Sequence, residues 1–255
     1  MSRRRTRCSG ANRADNSVDA VVISGHHAVR AAITAGRARQ LWICGDGERI
    51  QQTAAAAGKA GVTVQTSTAA ELSARVDGAL HQGVVADAAL PPADWKALLH
   101  SPPQTSLVAL DGVTDPRNLG AVMRAARAFD VAGVITTSRR CAPLSAVAVR
   151  ASAGAAAFLP LYRVTNLRRA LLQLQDAGFY IVGADENASC HVGDARLSPP
   201  ICWVLGGEDG GLRRLTAQCC DSVVRAPTAK GDAGCLNVST ACAVMLALVQ
   251  NRLLE

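Results

Sequence analysis

Three features of the chain predict an α/β fold built on a parallel sheet. Short apolar runs alternate with segments of helical period along most of its length. Polar or glycine-rich loops follow the carboxyl ends of several of those runs. The last two runs, Ile201 to Leu205 and Ser222 to Arg225, lead into a loop and then a closing helix marked by Val238, Ala241, Val244, Met245 and Leu248. In open α/β sheets the crevice outside the strand carboxyl ends collects bare backbone groups, so a ligand site is expected there.

Taken in order, Val21 to Ile23 is a strand, followed by a turn at Ser24 to His27 and a helix from Ala28 to Ala35. Leu41 to Cys44 makes a second strand, Glu48 to Gly58 a helix, Val62 to Val64 a strand, Ala69 to Val76 a helix and His81 to Ala86 a last strand. Residues 18–88 therefore read as a small α/β domain. Pro91-Pro92 and Pro102-Pro103 flank a short segment around Trp95, which marks 89–105 as a linker containing at most one helical turn. The second domain, 106–255, opens with the strand Ser106 to Leu110, the loop Asp111 to Arg117 and a helix from Asn118 to about Phe129. Val131 to Thr136 is the next strand, in a right-handed β-α-β unit. A helix is expected over Ala142 to Gly154, another after Thr165-Asn166 as far as Gly178, and a strand at Phe179 to Val182.

The composition narrows the function classes. With 255 residues, 49% of them hydrophobic, the chain has enough apolar side chains for two cores. A net charge of +7 favours a polyanionic partner, nucleic acid above all. Nine cysteines without a C-x-x-C pair fit buried thiols in a reducing compartment better than a disulfide or zinc framework. The five histidines have no metal-ligand spacing, so no metal is expected, and His81 reads as a structural hydrogen-bonding residue. With no run of eighteen or more apolar residues no membrane span is expected, and with the reducing compartment that the cysteines suggest the expected location is the cytoplasm. Residues 1–17 begin Met1-Ser2-Arg3-Arg4-Arg5 and soon reach Asp15, so they read as a disordered basic arm rather than a transit peptide.

Three loops carry the candidate chemistry. Asp115-Pro116-Arg117-Asn118-Leu119-Gly120 opens a helix that carries Arg124 nearly two turns beyond Asn118; taken alone, this is also what a plain helix cap with a surface arginine looks like. Gly206-Gly207-Glu208-Asp209-Gly210-Gly211 fails the dinucleotide fingerprint and has no phosphate-loop lysine. It is nonetheless a turn too rich in glycine to serve packing, and it lets a ligand approach the main chain. Cys235-Leu236-Asn237-Val238-Ser239 leads into the last helix, with Asn237 or Ser239 placed to cap it.

Together these motifs resemble those of the SpoU, or TrmH, family of RNA ribose 2′-O-methyltransferases. The match covers Asp115 to Gly120 with Arg124, Leu205 to Glu208 through Leu212, and Leu236 to Ser239, in order and spacing. The first domain, with His81 to Ala86 ahead of the linker, is similar to the RNA-binding extension of the family branch that modifies guanosine in 23S rRNA. The resemblance implies a SPOUT domain with a parallel sheet and a deep trefoil knot, a small N-terminal α/β RNA-binding domain, and a homodimer with its active site near the interface. It also implies S-adenosylmethionine bound largely by main chain at Gly206, Ala226 and Leu236. Asn118, Arg124, Glu208 and Asn237 become the catalytic candidates, and RNA binding should weaken steeply with salt.

A guanidinium with a pKa above about 12 is a poor base. Arg124 is therefore expected to stabilise the developing alkoxide and grip a phosphate, while Asn118 and Asn237 position substrate and loops and Glu208 organises Arg124 or the cofactor loop. The implied substrate is a guanosine of large-subunit rRNA. The alternatives are tRNA, or an RNA-binding or ribosome-assembly factor of the same fold with weakened catalysis. The chain departs from the family pattern at Cys235 (usually serine), Ala157 (usually a carboxylate), Arg150 (usually lysine) and Ala226-Pro227-Thr228 (usually Ile-Pro-Met).

Overall fold

A computed structural model describes residues 20–208, 210–228 and 236–253. The basic arm at 1–17, Asp209 and the loop 229–235 with Cys235 lie outside the described residues.

The first sheet carries β1 (Ala20–Ser24), β2 (Ala38–Ile43), β3 (Thr63–Thr66) and β4 (Val84–Ala89), with helices α1 (His26–Thr34), α2 (Glu48–Lys59) and α3 (Ala69–Arg75) between them. The strand order is β1-β4-β2-β3; β4 runs antiparallel to both neighbours and β2 parallel to β3. Ile23, Val29, Ala32, Leu41, Val84 and Ala86 are buried in its core. The strand expected from His81 begins only at Val84, because Gln82 (φ 53°) and Gly83 (φ 78°) form a left-handed turn. A Cβ on Gly83 would lie 2.7 Å from the Cys44 carbonyl oxygen, so the turn needs glycine for space as well as for φ. His81 Nδ1 accepts the Gly83 N–H at 3.0 Å, which leaves the ring proton on Nε2, 3.3 Å from Ser73 Oγ. This histidine is structural, as its sequence context suggested.

His26 is buried, with Nδ1 3.1 Å from Thr53 Oγ1. The Thr53 hydroxyl donates to the Arg49 carbonyl at 2.8 Å, so the imidazole is the donor to Thr53. Burial, assisted by the nearby Arg49 charge, lowers the His26 pKa. The unfolded chain therefore takes up a proton near pH 6.5 that the folded one resists, and the stability held above that pH is lost as the pH falls below it. Melting temperature is expected to drop between pH 7.5 and 5.5, with a shallower slope in His26→Gln. An equal slope in both proteins would assign the pH dependence to other groups.

Between the sheets, α4 (Trp95–His100) starts at Asp94, whose side chain accepts the N–H groups of Lys96 and Ala97. Trp95 stands edge-on to Tyr162, with ring centroids 6.0 Å apart, and donates Nε1–H to Gln173 at 3.1 Å. Trp95 thus ties the segment around α4 to the strand of Tyr162 and the helix of Gln173 in the second sheet's layer.

That sheet is parallel throughout, in the order β7-β6-β5-β10-β8-β11-β9. Its strands are β5 (Leu107–Asp111), β6 (Gly133–Thr137), β7 (Leu161–Val164), β8 (Tyr180–Ala184), β9 (Cys190–His191), β10 (Ile201–Gly206) and β11 (Ser222–Arg225). Helices α5 (Pro116–Ala128), α6 (Ala146–Ala151), α7 (Leu167–Asp176), α8 (Arg214–Ala217) and α9 (Val238–Leu253) flank it, and a 3-10 turn spans Ala155–Ala157. β5 and β10 are buried along nearly their whole length, as expected of central parallel strands covered on both faces.

The helix expected over Ala142 to Gly154 is shorter. Ser145 caps it by accepting the Ala148 N–H, and left-handed Ala153 (φ 49°) and Gly154 (φ 96°) stop it. β7, β9 and α8 were not foreseen, each being two to four residues long and too short to display a period. No helix among the described residues is long and apolar enough to cross a membrane.

Candidate active site

Helix α5 begins at Pro116, two residues earlier than the sequence implied. Asp115 is its cap, accepting the Arg117 N–H at 2.8 Å, and Pro116 occupies the first helical position. Asn118, relieved of capping, is in the first turn with its amide free for other partners. Two of them come from distant parts of the chain. Asn118 Nδ2 donates to Glu208 Oε1, and Asn118 Oδ1 accepts from Asn237 Nδ2 at 3.0 Å. Asn237 Oδ1 in turn accepts the Ser239 N–H at 2.9 Å and the Ser239 hydroxyl at 2.7 Å, which caps α9.

These bonds form a one-way relay. The Ser239 backbone N–H can only donate, so the Asn237 oxygen must face it and the Asn237 nitrogen must face Asn118. The Asn118 oxygen is then committed to Asn237 and its nitrogen to the Glu208 carboxylate. All three sequence motifs are therefore joined by side-chain hydrogen bonds, across 90 and 119 residues of chain.

Beside the relay lies a pocket of about 550 Å³. Gly206, Ala226 and Leu236 all line it, with Glu208 and Asn237 at its polar side and Val238, Ala241 and Met245 of α9 forming an apolar wall. The glycines also pack, contrary to the expectation from composition. A Cβ on Gly206 would fall 2.0 Å from the Gly211 carbonyl carbon and 2.4 Å from the Leu212 nitrogen, and one on Gly207 would fall 2.4 Å from the Gly112 oxygen. The turn folds back on itself through a Gly207–Gly211 bridge and is tied to β5 by Gly207 N–H donating to Asp111 at 3.0 Å. The Asp111 carboxylate is 2% exposed; it pairs with the Arg213 guanidinium at 3.4 Å and accepts the Arg213 N–H at 3.1 Å, so it clamps the far end of the turn.

Arg124 is not part of this relay. It stands on the exposed face of α5, about two turns beyond and in line with Arg117, and has no side-chain hydrogen bond or ion pair among the described residues. Sequence reasoning also missed Asp185, Glu186 and Asn187, which line the pocket from the loop after β8. Their position at a strand carboxyl end was the available signal. Among the described residues no group of three or more His, Cys, Asp and Glu side chains is placed to hold a metal ion. Of the departures, Ala226 and Thr228 line the pocket, whereas Arg150 and Ala157 lie elsewhere, against the first domain.

A family model described as the SpoU rRNA Methylase family matches residues 105–247, and one described as RNA 2′-O ribose methyltransferase substrate binding matches residues 22–93. The chain is 38% identical over 233 residues to the 23S rRNA (guanosine-2′-O-)-methyltransferase RlmB of Yersinia pestis, covering 88% of this chain and 94% of that protein. Two solved structures are similar. One is the AdoMet-bound rRNA methyltransferase from Sinorhizobium meliloti (TM-score 0.77, 26% identity, 92% of this chain and 88% of that one). The other is the SpoU methyltransferase AviRb from Streptomyces viridochromogenes in complex with AdoMet (TM-score 0.75, 26% identity, 91% and 90%).

Proposed function

Since the chain belongs to the SpoU rRNA methylase family, we propose that it is an RNA methyltransferase that uses S-adenosylmethionine to methylate the ribose 2′-hydroxyl of a guanosine in 23S-type rRNA. The observation that carries this reading is the relay joining Glu208, Asn118 and Asn237 at the edge of the glycine-walled pocket.

The pocket suits the cofactor. Its volume falls within the range of about 300–1,000 Å³ common to small-molecule sites. Its apolar wall on α9 faces a glycine turn whose bare backbone leaves N–H and C=O groups within a ligand's reach. Gly206, Ala226 and Leu236 would hold the cofactor through main chain, which is why chemically plain residues serve there and why Ala226 and Thr228 are tolerated. When bound, S-adenosylmethionine supplies an electrophilic methyl group on a sulfonium sulfur.

The side chains do the remaining work. The relay fixes the opening of α5 against the pocket mouth, so a ribose placed there meets a preorganised edge instead of mobile loops. Glu208 keeps Asn118 in register. Arg124, open to solvent, is available to an RNA phosphate and to the developing 2′-alkoxide, while the hydroxyl proton leaves to water. We read the assembly as a homodimer in which a second copy approaches the α5 face, and the C-terminal segment as forming the trefoil knot; convergence of β10, β11 and the start of α9 on one pocket supports the latter. In the same reading 18–88 holds RNA, 89–105 is the linker and 106–255 the methyltransferase domain, acting in the cytoplasm.

Asn118→Asp tests the relay. It replaces the donor facing Glu208 with a second carboxylate oxygen, and like charges at hydrogen-bond distance repel. Methyl transfer is expected to fall by about 100-fold, with S-adenosylmethionine affinity changed less than fivefold; unchanged transfer would remove the relay from the mechanism. The activity itself is tested by tritium transfer from labelled S-adenosylmethionine to total RNA lacking the modification. Label in 23S rRNA is the expected result, and label confined to tRNA would reassign the substrate. No label from a folded protein that binds RNA would leave only a binding function.

A further inference from the structure

The residues that depart from the family pattern without touching the pocket lie where the two sheets' domains meet. Arg150 Nη1 donates to the Leu80 carbonyl across this seam at 3.3 Å. A Cβ on Gly154 would lie 2.4 Å from Ala31 Cβ and 3.4 Å from the His27 carbonyl oxygen, so α1 rests directly on the backbone that follows α6. The void left between the domains is about 10 Å³ and has an apolar lining that includes Ala157. Its apolar lining offers a bridging water few polar partners. One hydrophobic cluster runs without a break from Ile23 and Ala32 of the first domain to Val149 and Ala156 of the second. Domains in one chain move relative to each other by default unless their interface is extensive and apolar, and this one is apolar and closely packed.

The other side of α6 packs on α5 at equally short range. A Cβ on Gly120 would lie 2.2 Å from the Ala148 carbonyl oxygen and 2.6 Å from Ala151 Cβ. Gly120 is two residues beyond Asn118. The segment of α6 and the following 3-10 turn is thus held between the first domain and the helix that opens on the active-site relay.

We propose that this segment is a rigid mount, and that Gly154 and Ala31 are positioning residues that fix the distance and angle from the RNA-holding domain to the pocket, thereby selecting which nucleotide is methylated. The proposal rests on reading the first domain as the RNA-holding one. A site-selecting ruler needs a fixed length, because a misplacement of 1 Å remote from the chemistry can lower a rate by about 100-fold.

Two variants open the seam from opposite sides. Gly154→Val adds bulk against α1. It is also strained at φ +96°, so Ala31→Arg, a good helix former on the half-buried face of α1, provides the independent case. Small-angle scattering verifies the opening as an increased radius of gyration. In full-length protein, S-adenosylmethionine affinity is expected to stay within twofold and 23S rRNA affinity within about threefold. The single-turnover rate at the native nucleotide should fall at least tenfold, with methyl groups appearing at neighbouring riboses. Wild-type rate and site choice from an opened protein would overturn the proposal. So would loss of S-adenosylmethionine binding in both variants, which would make the seam part of the methyltransferase core. A wild-type protein that methylates no RNA would instead sink the functional assignment.

Discussion

Gly206→Ala is expected to weaken S-adenosylmethionine binding by about 100-fold, the upper end of what overpacking costs. The added methyl group would sit 2.0 Å from the Gly211 carbonyl carbon and 2.2 Å from its oxygen, where only backbone could yield. Overpacking a side chain costs about 1–3 kcal/mol, and here no rotamer change can relieve it. Gly211 and Leu212 must move away from Gly206, which breaks the Gly207–Gly211 bridge and reshapes the pocket wall that Gly206, Gly207 and Gly211 line. Gly210→Ala is the control: it lines the same pocket, and a Cβ there meets nothing within 4 Å. Titration calorimetry should show Gly210→Ala binding within threefold of wild type. Equal affinity in both variants would mean that the cofactor does not depend on the shape of this turn.

Arg124→Ala is expected to lower the methyl-transfer rate by about 1,000-fold, or about 4 kcal/mol of transition-state stabilisation. S-adenosylmethionine affinity should not change, because Arg124 does not line the pocket. Lysine should recover less than a tenth of the activity, since it lacks the planar fork that can hold a phosphate and an alkoxide together. Single-turnover kinetics at saturating RNA check this, and full transfer by Arg124→Ala would remove its central role. Its exposure on α5 suggests a second arrangement to probe: co-expressed Arg124→Ala and Gly206→Ala chains recover activity if the arginine serves the partner's pocket, and recover none if it serves its own.

Much of the site was legible because its signals are local. Asn118 and Asn237 are read as helix starts from capping chemistry, the first of them two residues late, and strand ends followed by glycine turns mark the crevice of a parallel sheet. The elements that were missed follow the same logic. β7, β9 and α8 are too short to carry a period, and His81-Gln82-Gly83 resembles a strand until left-handed φ values turn the chain. Asp185 to Asn187 follow a strand end that the sequence marks, and the place of β8 between β10 and β11 puts them on the pocket.

Local chemistry in the chain was enough to mark the α/β class and the loops at the strand ends, since capping, turn formation and periodicity act within a few residues; the expectation that Gly206, Ala226 and Leu236 touch a cofactor came from the family resemblance of the motifs. Folding in three dimensions decided the rest. It directed the Asn118 amide to Glu208 and Asn237 instead of its own helix cap, made the glycine turn a packed wall, and set Arg150 and Ala157 in a domain seam far from the pocket. Each of these depends on which distant groups lie within about 3 Å of one another, a separation that sequence distance does not encode.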